Sequence, residues 1–309
     1  MKRKNWRIDY EFVWFNLKNM KVLWIWEIVL DKTYTISWEM CHGQKCQSND
    51  SLLCIWWPVS SALKLLINLW CETTIVWSIW KGPLWKYVKE QFDLYGINHS
   101  LIQDKATKVN TVLIDEKTWR RTIIKDKIHN KLLVEIPINY IIDADIIIFD
   151  RTEKKVFDFV LKHKREETKI IIDPWTEFSP EIIHMIKNSH IPVLPIELVN
   201  KVTDENNFLE NIKKLYNVIE KTLIITDWEN GAYVFDWKDV KTYKAINMCP
   251  IDTNWAGDVF RGGICWWVLN NWDLERCIIF ANKVAWLQCM KMWNLSAIPE
   301  MEEIEKFIY

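Results

Sequence analysis

Apolar runs alternate with amphipathic stretches along most of this chain. Runs rich in Val, Ile, Leu and Thr without a helical period predict strands, while apolar residues spaced three and four positions apart predict helices. The predicted strands are residues 22–29, 74–79, 111–114, 145–149, 169–173, 192–195, 223–226 and 232–235. The predicted helices lie near residues 59–69, 84–94, 153–164, 180–188, 206–219, 256–270 and 274–291.

This alternation predicts a fold of class α/β. Continuous apolar strands indicate a mostly parallel sheet covered by helices on both faces, with right-handed crossovers. Residues 32–53 and 110–130 break the rhythm, because they are polar, alternate in hydrophobicity and lack a helical period. We expect these two segments to form a small β-sheet that projects from the main domain as a lid.

The length of 309 residues fits one large domain. We expect this domain to cover residues 21–309, since the first strand-like run begins at Lys21. Residues 1–20 are interpreted as an N-terminal extension, and Met20 offers an alternative start for the native protein.

Charge and hydropathy exclude several classes of function. The chain has 40 lysines and arginines against 41 aspartates and glutamates, so no basic field favours nucleic acid or an anionic membrane. No apolar run approaches the roughly 18 residues of a membrane span, and no secretory signal precedes the first strand, which predicts a soluble cytoplasmic protein. The eight cysteines are scattered through apolar or helical segments, as is typical of reduced, buried thiols.

Tryptophan is abundant where glycine is expected. The chain has 7 glycines and 21 tryptophans, whereas an average chain of this length has roughly 22 glycines. Many of the tryptophans fall at positions where a turn favours glycine, as in residues 55–58 and 226–231. We hypothesise that many of them are glycines in the native protein, encoded by UGA codons that were translated as tryptophan. The alternative is a naturally tryptophan-rich protein whose indoles stack on a ligand or pack together.

Residues 252–258 read D-T-N-W-A-G-D and lead into a predicted helix. Backbone N–H groups in such a loop, here those of Trp255, Ala256 and Gly257, can bind a phosphate together with the positive end of the helix. A tryptophan side chain at 255 would obstruct that approach. Asp258 is a candidate general base for phosphoryl transfer, in which a carboxylate accepts the proton of the attacking hydroxyl. The alternative is that Asp258 only caps a helix starting one residue later.

With glycine in place of the suspect tryptophans, these residues resemble the ribokinase-like carbohydrate kinases, the PfkB family. Residues 252–263 then read D-T-N-G-A-G-D-V-F-R-G-G, close to the C-terminal signature of the family, and residues 55–70 read I-G-G-P-V-S-S-A-L-K-L-L-I-N-L-G, close to its N-terminal signature. Further similarity covers residues 23–31, 74–96, 173–174, 226–231 and 280–299. The resemblance implies a ribokinase-like three-layer sandwich with a small β lid.

The resemblance also implies a set of sugar-binding residues. Asp31, at the end of the first predicted strand, matches the aspartate that accepts hydrogen bonds from sugar hydroxyls; the alternative is a turn-forming aspartate. Trp56 and Trp57 match a Gly-Gly pair that lets a sugar lie against the backbone. Ser61 stands where the family usually has a sugar-binding asparagine. Asp150 is similar in placement to another sugar-contacting acid, or is a solvated residue at a strand end.

The nucleotide-binding residues are implied in the same way. Thr226, Asp227, Trp228 and Gly231 belong to a segment similar to the T-x-G-x-x-G turn that lies beside the nucleotide phosphates and ribose. Asn282 matches an asparagine near the adenine, although an asparagine on a helix surface is more often only solvated. ATP is therefore the expected phosphate donor.

Two metal sites follow from the resemblance. Asp252 and the backbone carbonyl of Asn254 correspond to a site for a monovalent cation, K⁺, in many family members. Glu197 is the acid available where the family usually has an N-x-x-E motif that organises Mg²⁺ through water; the alternative is a structural acid at the strand end.

Asp173-Pro174 matches a D-P pair of the family that we interpret as architectural.

The function implied is ATP-dependent phosphorylation of a hydroxyl group on a small sugar, with the lid closing to exclude water. A nucleoside is the alternative substrate. A rival interpretation is a non-catalytic nucleotide- or sugar-binding relative of these kinases, which genuine tryptophans at 57, 228 and 255 would favour because their indoles would fill the pocket. The resemblance also makes a homodimer formed through the lid an expectation.

Overall fold

A computed structural model describes residues 20–25, 29–37, 45, 47–55, 57–79, 82–103, 107–117, 121–127, 136–149, 154–174, 176, 178–202, 207–247, 249–251, 253, 255–270, 273–291 and 297–308. The strands are β1 Lys21–Ile25, β2 Val29–Ile36, β3 Asp50–Ile55, β4 Glu72–Ile79, β5 Asn98–Gln103, β6 Lys108–Asp115, β7 Arg121–Ile124, β8 Ile146–Phe149, β9 Lys169–Ile172, β10 Ile191–Pro195, β11 Leu223–Asp227, β12 Gly231–Phe235 and β13 Val240–Tyr243. The helices are α1 Trp57–Asn68, α2 Pro83–Tyr95, α3 Ile138–Asp143, α4 Lys154–His163, α5 Pro180–Asn188, α6 Ile196–Lys201, α7 Phe208–Ile219, α8 Ala256–Asn270, α9 Leu274–Cys289 and α10 Met301–Ile308.

The main sheet has nine strands in the order β13-β12-β11-β10-β9-β8-β1-β4-β5. Neighbouring strands from β5 to β11 run parallel. Strands β12 and β13 are antiparallel to their neighbours at one edge. The predicted α/β class with a mostly parallel sheet is therefore confirmed.

Helices cover both faces of the main sheet. Val22 and Trp24 in β1 pack with α1, α2, α8, α9 and α10 in one hydrophobic core. Leu23 and Ile25 point the other way and pack with α3 to α7 in a second core. Because successive side chains of a strand alternate between the two faces, the apolar run buries its residues in both cores. The result is the expected three-layer sandwich.

A second sheet of four strands has the order β3-β2-β6-β7. Strands β2 and β6 are parallel, and β3 and β7 pair antiparallel at the two edges. These strands come from the two polar, alternating segments that predicted a small sheet separate from the main one. We refer to this four-stranded unit as the second sheet.

The run predicted as a single strand over residues 22–29 is divided between the two sheets. β1 ends at Ile25 in the main sheet, and β2 begins at Val29 in the second sheet. Asp31 therefore lies inside β2. The prediction that it lies at the end of the first strand is wrong. Hydrophobicity is continuous across the junction, so the sequence pattern does not reveal that the chain changes sheets. The elements β5, β13, α3, α6 and α10 were also missed, since each is short or lacks a strong period.

Tryptophan occupies unusual backbone positions. Five non-glycine residues of the described ranges have a left-handed φ, and four of them are tryptophan: Trp70 (66°), Trp228 (42°), Trp237 (74°) and Trp255 (64°), beside Glu220 (60°). This region is sterically unfavourable for any residue with a Cβ. Within the same ranges, the indole N–H groups of Trp24, Trp267 and Trp286 are buried without a hydrogen-bond partner. Both observations support the hypothesis that tryptophan stands at positions suited to glycine.

Most cysteines of the described ranges are buried. There, Cys71, Cys265 and Cys277 are free and buried, Cys249 is free and exposed, and Cys289 is buried. Burial, followed by the charge of Asp145, raises the pKa of the Cys71 thiol to about 12. None of the described helices has the length and apolar character needed to cross a bilayer.

Candidate active site

Helix α8 begins directly after a backbone turn at Trp255. The φ of Trp255 is 64°, and its carbonyl oxygen accepts hydrogen bonds from the N–H groups of Asp258 (3.0 Å) and Val259 (2.9 Å). Asp258 is thus the third residue of the helix, and the alternative that it caps a helix starting at 259 is wrong. The N–H of Ala256 lies 3.4 Å from the carbonyl oxygen of Thr253. The loop predicted to bind phosphate therefore does run into the first turn of a helix.

A buried arginine joins two aspartates beside this turn. The guanidinium of Arg261 donates through Nη2 to Oδ1 of Asp258 and through Nη1 to Oδ2 of Asp173. The side chains of Arg261, Asp173 and Asp258 are 12%, 9% and 11% exposed. Arg261 was missed by sequence reasoning, although its position three residues after Asp258 on a helix is a signal for an ion pair. Asp173, interpreted as architectural, belongs to the same cluster.

The cluster lies at the carboxyl-terminal edge of the main sheet. Asp173 follows β9, Glu197 follows β10 and Asp227 ends β11. These three strands are parallel neighbours, so their carboxyl ends meet at one edge. The ion pair between Arg261 and Asp173 brings the start of α8 to that edge. Open α/β sheets bind ligands at the carboxyl ends of their strands.

The turn between β11 and β12 is held by the carboxylate of Asp227. Its Oδ2 accepts hydrogen bonds from Nδ2 of Asn230 (3.1 Å) and from the hydroxyl of Tyr233 (3.1 Å). Burial, and then the hydrogen bond to Asp227, raise the pKa of Tyr233. Thr226 precedes this turn and is paired with Ala232 in the hairpin. Asp227 therefore shapes the turn that was predicted to lie beside a nucleotide.

Gly231 is required at the end of this turn. Its φ is 96°, and a Cβ built there would lie 2.2 Å from the carbonyl oxygen of Tyr243. Trp228, at the start of the turn, has a φ of 42° and a side chain that is 64% exposed. The indole Nε1 of Trp228 donates a hydrogen bond to Oε1 of Glu197. Glu197 lies in the first turn of α6, so the structure brings together a predicted nucleotide-binding residue and the acid predicted to organise Mg²⁺ through water.

Asp31 has a buried partner in the second sheet. Parallel pairing of β2 and β6 places Asp31 opposite Asn110, and Nδ2 of Asn110 donates to Oδ1 of Asp31 at 3.0 Å. Oδ1 of Asn110 in turn accepts a hydrogen bond from the N–H of Asp126 at 3.2 Å. Asn110 was missed because nothing in the sequence shows which strand pairs with β2.

Ser61 lies in α1 and is only 1% exposed. Its hydroxyl, like that of Ser60, is buried without a hydrogen-bond partner among the described residues. Trp57 is the first residue of α1. Of the remaining sugar and cation residues that we predicted, four fall outside the described residues: Trp56, Asp150, Asp252 and Asn254.

Asn282 links α9 to the edge of the main sheet. Its Nδ2 donates a hydrogen bond to the carbonyl oxygen of Tyr243 in β13 at 3.3 Å. Burial, and then the charge of Glu275, raise the pKa of Tyr243. Asn282 is partly buried and, through this hydrogen bond, is bound to the main chain. The alternative was an asparagine that is only solvated on the helix surface.

Known proteins share both the sequence family and the fold. Residues 85–299 match the model of the pfkB family of carbohydrate kinases. A ribokinase of Staphylococcus aureus (strain COL) is 30% identical over 107 residues, which is 34% of this chain and 35% of that protein. The chain thus matches about a third of the length of this curated relative.

Solved structures are similar over nearly their whole length. The ribokinase of Thermotoga maritima has a TM-score of 0.79 at 16% identity and covers 94% of this chain and 99% of its own. The ribokinase of Arabidopsis thaliana complexed with ribose and ATP has a TM-score of 0.80 at 14% identity, with coverage of 94% and 98%. A nucleoside kinase of Methanocaldococcus jannaschii, a member of the ribokinase family, has a TM-score of 0.70 at 12% identity, with coverage of 93% and 97%. Because the family model matches well over half of the chain, and the ribokinase fold is shared, this protein belongs to the pfkB family of carbohydrate kinases.

Proposed function

We propose that this protein transfers the γ-phosphoryl group of ATP to a hydroxyl group of a small sugar or a sugar-like molecule. The observation that carries the proposal is the position of Asp258. It is a buried carboxylate in the first turn of a helix that follows a left-handed residue. Its ion-pair partner Arg261 joins it to the carboxyl edge of a parallel sheet. The family and the fold shared with a ribokinase complexed with ribose and ATP support the same activity.

In the proposed reaction, Asp258 accepts the proton of the substrate hydroxyl while the hydroxyl oxygen attacks the γ-phosphorus. The bond from that phosphorus to the bridging oxygen of ADP breaks, and ADP leaves. Negative charge on the transferred group is stabilised by the backbone N–H groups of Trp255, Ala256 and Gly257 and by the positive end of α8. Such positioning and electrostatic stabilisation account for most of the catalysis in phosphoryl transfer.

Asp31 and Ser61 are the proposed contacts with the sugar. The hydrogen bond from Asn110 orients the carboxylate of Asp31 before a substrate arrives. The buried hydroxyl of Ser61 has no partner in the described part of the chain, and a sugar hydroxyl would supply one. A buried polar group left without a hydrogen bond costs about 1–3 kcal/mol, so satisfying it favours binding.

Thr226, Asp227 and the turn that follows are proposed to lie beside the nucleotide, with Asn282 near the base. The fold places this turn at the same sheet edge as Asp173. In this proposal a triphosphate lies along that edge, with its terminal phosphorus near Asp258.

Magnesium would enter this site with ATP. No group of three or more potential ligands among His, Cys, Asp and Glu forms a metal site within the described ranges. Mg²⁺ usually keeps several waters and binds one or two carboxylates plus substrate phosphates. Glu197 is the proposed carboxylate near it. When bound, the metal neutralises charge on the phosphate oxygens. Binding of K⁺ by Asp252 and Asn254, and dimerisation through the second sheet, stay predictions.

The test is ADP release across a panel of pentoses, hexoses and nucleosides. It is carried out with the chain as printed and with a form that has glycine at 57, 228 and 255. Asp258→Asn should lower kcat by about 10²–10⁴-fold, the range for loss of a general base, while ATP binding persists. Asp173→Asn is the matched comparison, because it removes the other carboxylate of Arg261 and leaves the base in place, so its loss of kcat should be much smaller than that of Asp258→Asn. Turnover by Asp258→Asn within tenfold of the parent would show that Asp258 is not the base.

A non-catalytic binding protein is the second candidate. It is favoured by Trp228, whose exposed indole reaches Glu197 at the proposed nucleotide site, and by Trp255 in the proposed anion hole. ATP or sugar binding by both forms of the chain, without ADP release from either on any substrate of the panel, would establish this function instead.

A further inference from the structure

Arg261, Asp258 and Asp173 form an ion-pair cluster beside the proposed anion hole. Arg261 lies one helical turn after Asp258, and its two terminal nitrogens donate to different carboxylates. Asp173 is anchored in turn, since its backbone N–H donates to the carbonyl oxygen of Phe149 at 2.8 Å. The cluster therefore connects the end of β9 to the first turn of α8 through side chains that are almost fully buried.

We propose that Arg261 is a positioning residue that holds the carboxylate of Asp258 toward the substrate hydroxyl, and that Asp173 holds Arg261. This inference rests on the proposed function. A planar guanidinium with two separate terminal nitrogens can fix the direction of both carboxylates at once. An ammonium group in its place would act as a point charge and would fix neither direction.

The cluster has two carboxylates and one guanidinium. Two carboxylates face one guanidinium, so the three groups together carry one excess negative charge when both aspartates are ionised. When Asp258 takes the proton of the substrate hydroxyl, that excess disappears and one carboxylate remains paired with one guanidinium. The proton transfer thus removes a negative charge beside the phosphoryl group at the moment it is transferred.

Arg261 also lies against the backbone of the proposed anion hole. Its Nη2 would be 3.8 Å from a Cβ at Gly257. Both terminal nitrogens donate to carboxylates, so the guanidinium is held between Asp258 and Asp173, which supports a role in holding Asp258. Displacement of a catalytic group by about 1 Å can lower a rate by about 10²-fold, which sets the scale of the effect expected from losing the guanidinium.

The experiment compares Arg261→Gln and Arg261→Lys with Arg165→Gln, in whichever form of the full-length chain releases ADP. Arg165 is the matched control because its Nη2 also binds an aspartate, Asp145, at 2.9 Å, just before β8 and so at the opposite end of the strands. We expect Arg261→Gln to lower kcat by about 10–100-fold and to leave the KM values for sugar and ATP within threefold. Arg261→Lys should be intermediate. Arg165→Gln should keep its kcat within twofold.

Rescue separates positioning from structural support. Guanidinium ion added at millimolar concentration should restore part of the kcat of Arg261→Ala, because it can occupy the space between the two carboxylates. Asp173→Asn should also lower kcat, but by less than Arg261→Gln. It provides the measurement if Arg261→Gln does not fold. A kcat for Arg261→Gln no lower than that of Arg165→Gln, or a loss confined to KM, would overturn the inference while the kinase activity stands. Full turnover by Asp258→Asn, or no ADP release by either form, would overturn the proposed reaction and this inference with it.

Discussion

The end of α1 provides a direct test of the strain at tryptophan positions. The N–H of Trp70 donates to the carbonyl oxygen of Ile67 at 2.8 Å, and the N–H of Cys71 donates to that of Leu66 at 2.9 Å. This pair of bonds is the Schellman motif, in which glycine usually occupies the left-handed position that Trp70 fills here. Helix α2 ends with the same motif, but with Gly96 at that position, at a φ of 71°.

Replacing Trp70 by glycine should therefore stabilise the protein relative to replacing it by alanine. Both changes remove the indole, which is 49% exposed, so their difference isolates the backbone. A residue with a Cβ loses about 1–2 kcal/mol in the left-handed region. The greater conformational entropy of glycine in the unfolded chain reduces this advantage of glycine by about 0.4–1 kcal/mol. We expect Trp70→Gly to exceed Trp70→Ala by about 1 kcal/mol in the free energy of unfolding.

The assay is equilibrium unfolding in urea, with Gly96→Ala as the reciprocal variant. A Cβ at Gly96 would meet no atom within 4 Å, so its cost of about 1 kcal/mol arises from the backbone alone. If Gly96→Ala is destabilised while Trp70→Gly is no more stable than Trp70→Ala, the strain argument at Trp70 is refuted. The same reasoning predicts a UGA codon at position 70 in the native gene and glycine in peptides of the native protein. A UGG codon there would refute the recoding hypothesis at that position.

Three further outcomes are expected. Gly263→Ala should lower the free energy of unfolding by about 1–3 kcal/mol through overpacking, because its Cβ would lie 2.9 Å from the backbone of α9. Gly257→Ala is the control and should be tolerated, because its Cβ would have no contact closer than 3.8 Å. Equal unfolding curves for the two variants would contradict this prediction. Burial, and then nearby lysines, lower the pKa of His190 in the folded protein to about 4. As the pH falls from 6.5 to about 4, the unfolded chain therefore takes up a proton that the folded protein does not, and the free energy of unfolding should decrease. His190→Gln should reduce this pH dependence in unfolding curves measured across the same range. Asn110→Ala should raise the KM for the sugar about tenfold, as expected for losing a hydrogen bond of roughly 1–1.5 kcal/mol that orients Asp31; an unchanged KM would remove Asn110 from the sugar site.

Much of the fold could be predicted from local patterns. The bounds predicted for α5 and α8, residues 180–188 and 256–270, are those observed. The strands of the second sheet lie largely within the two polar, alternating segments. Amphipathic helices and apolar strands carry their period within a few residues, so neighbouring positions suffice to recognise them. The division of residues 22–29 between two sheets was missed because the residues on both sides of the junction are apolar.

The candidate site was predictable only in part. The segment ending in Asp258 could be recognised because its loop, helix start and carboxylate are contiguous in sequence. Arg261 was within reach of an argument from helical spacing, but its second partner, Asp173, lies 88 positions away. Asn110 lies 79 positions from Asp31 and reaches it only through the pairing of β2 with β6.

The sequence by itself determined the α/β class, the order of most elements and the loop that presents Asp258, since hydrophobic period and contiguous motifs are local properties. The tertiary structure alone decided which strands share a sheet, which carboxylates share Arg261, and which tryptophans occupy left-handed backbone positions. Each of these depends on contacts or dihedral angles that arise only when distant segments pack, because the free energy of a buried ion pair or a strand register depends on groups far apart in the chain.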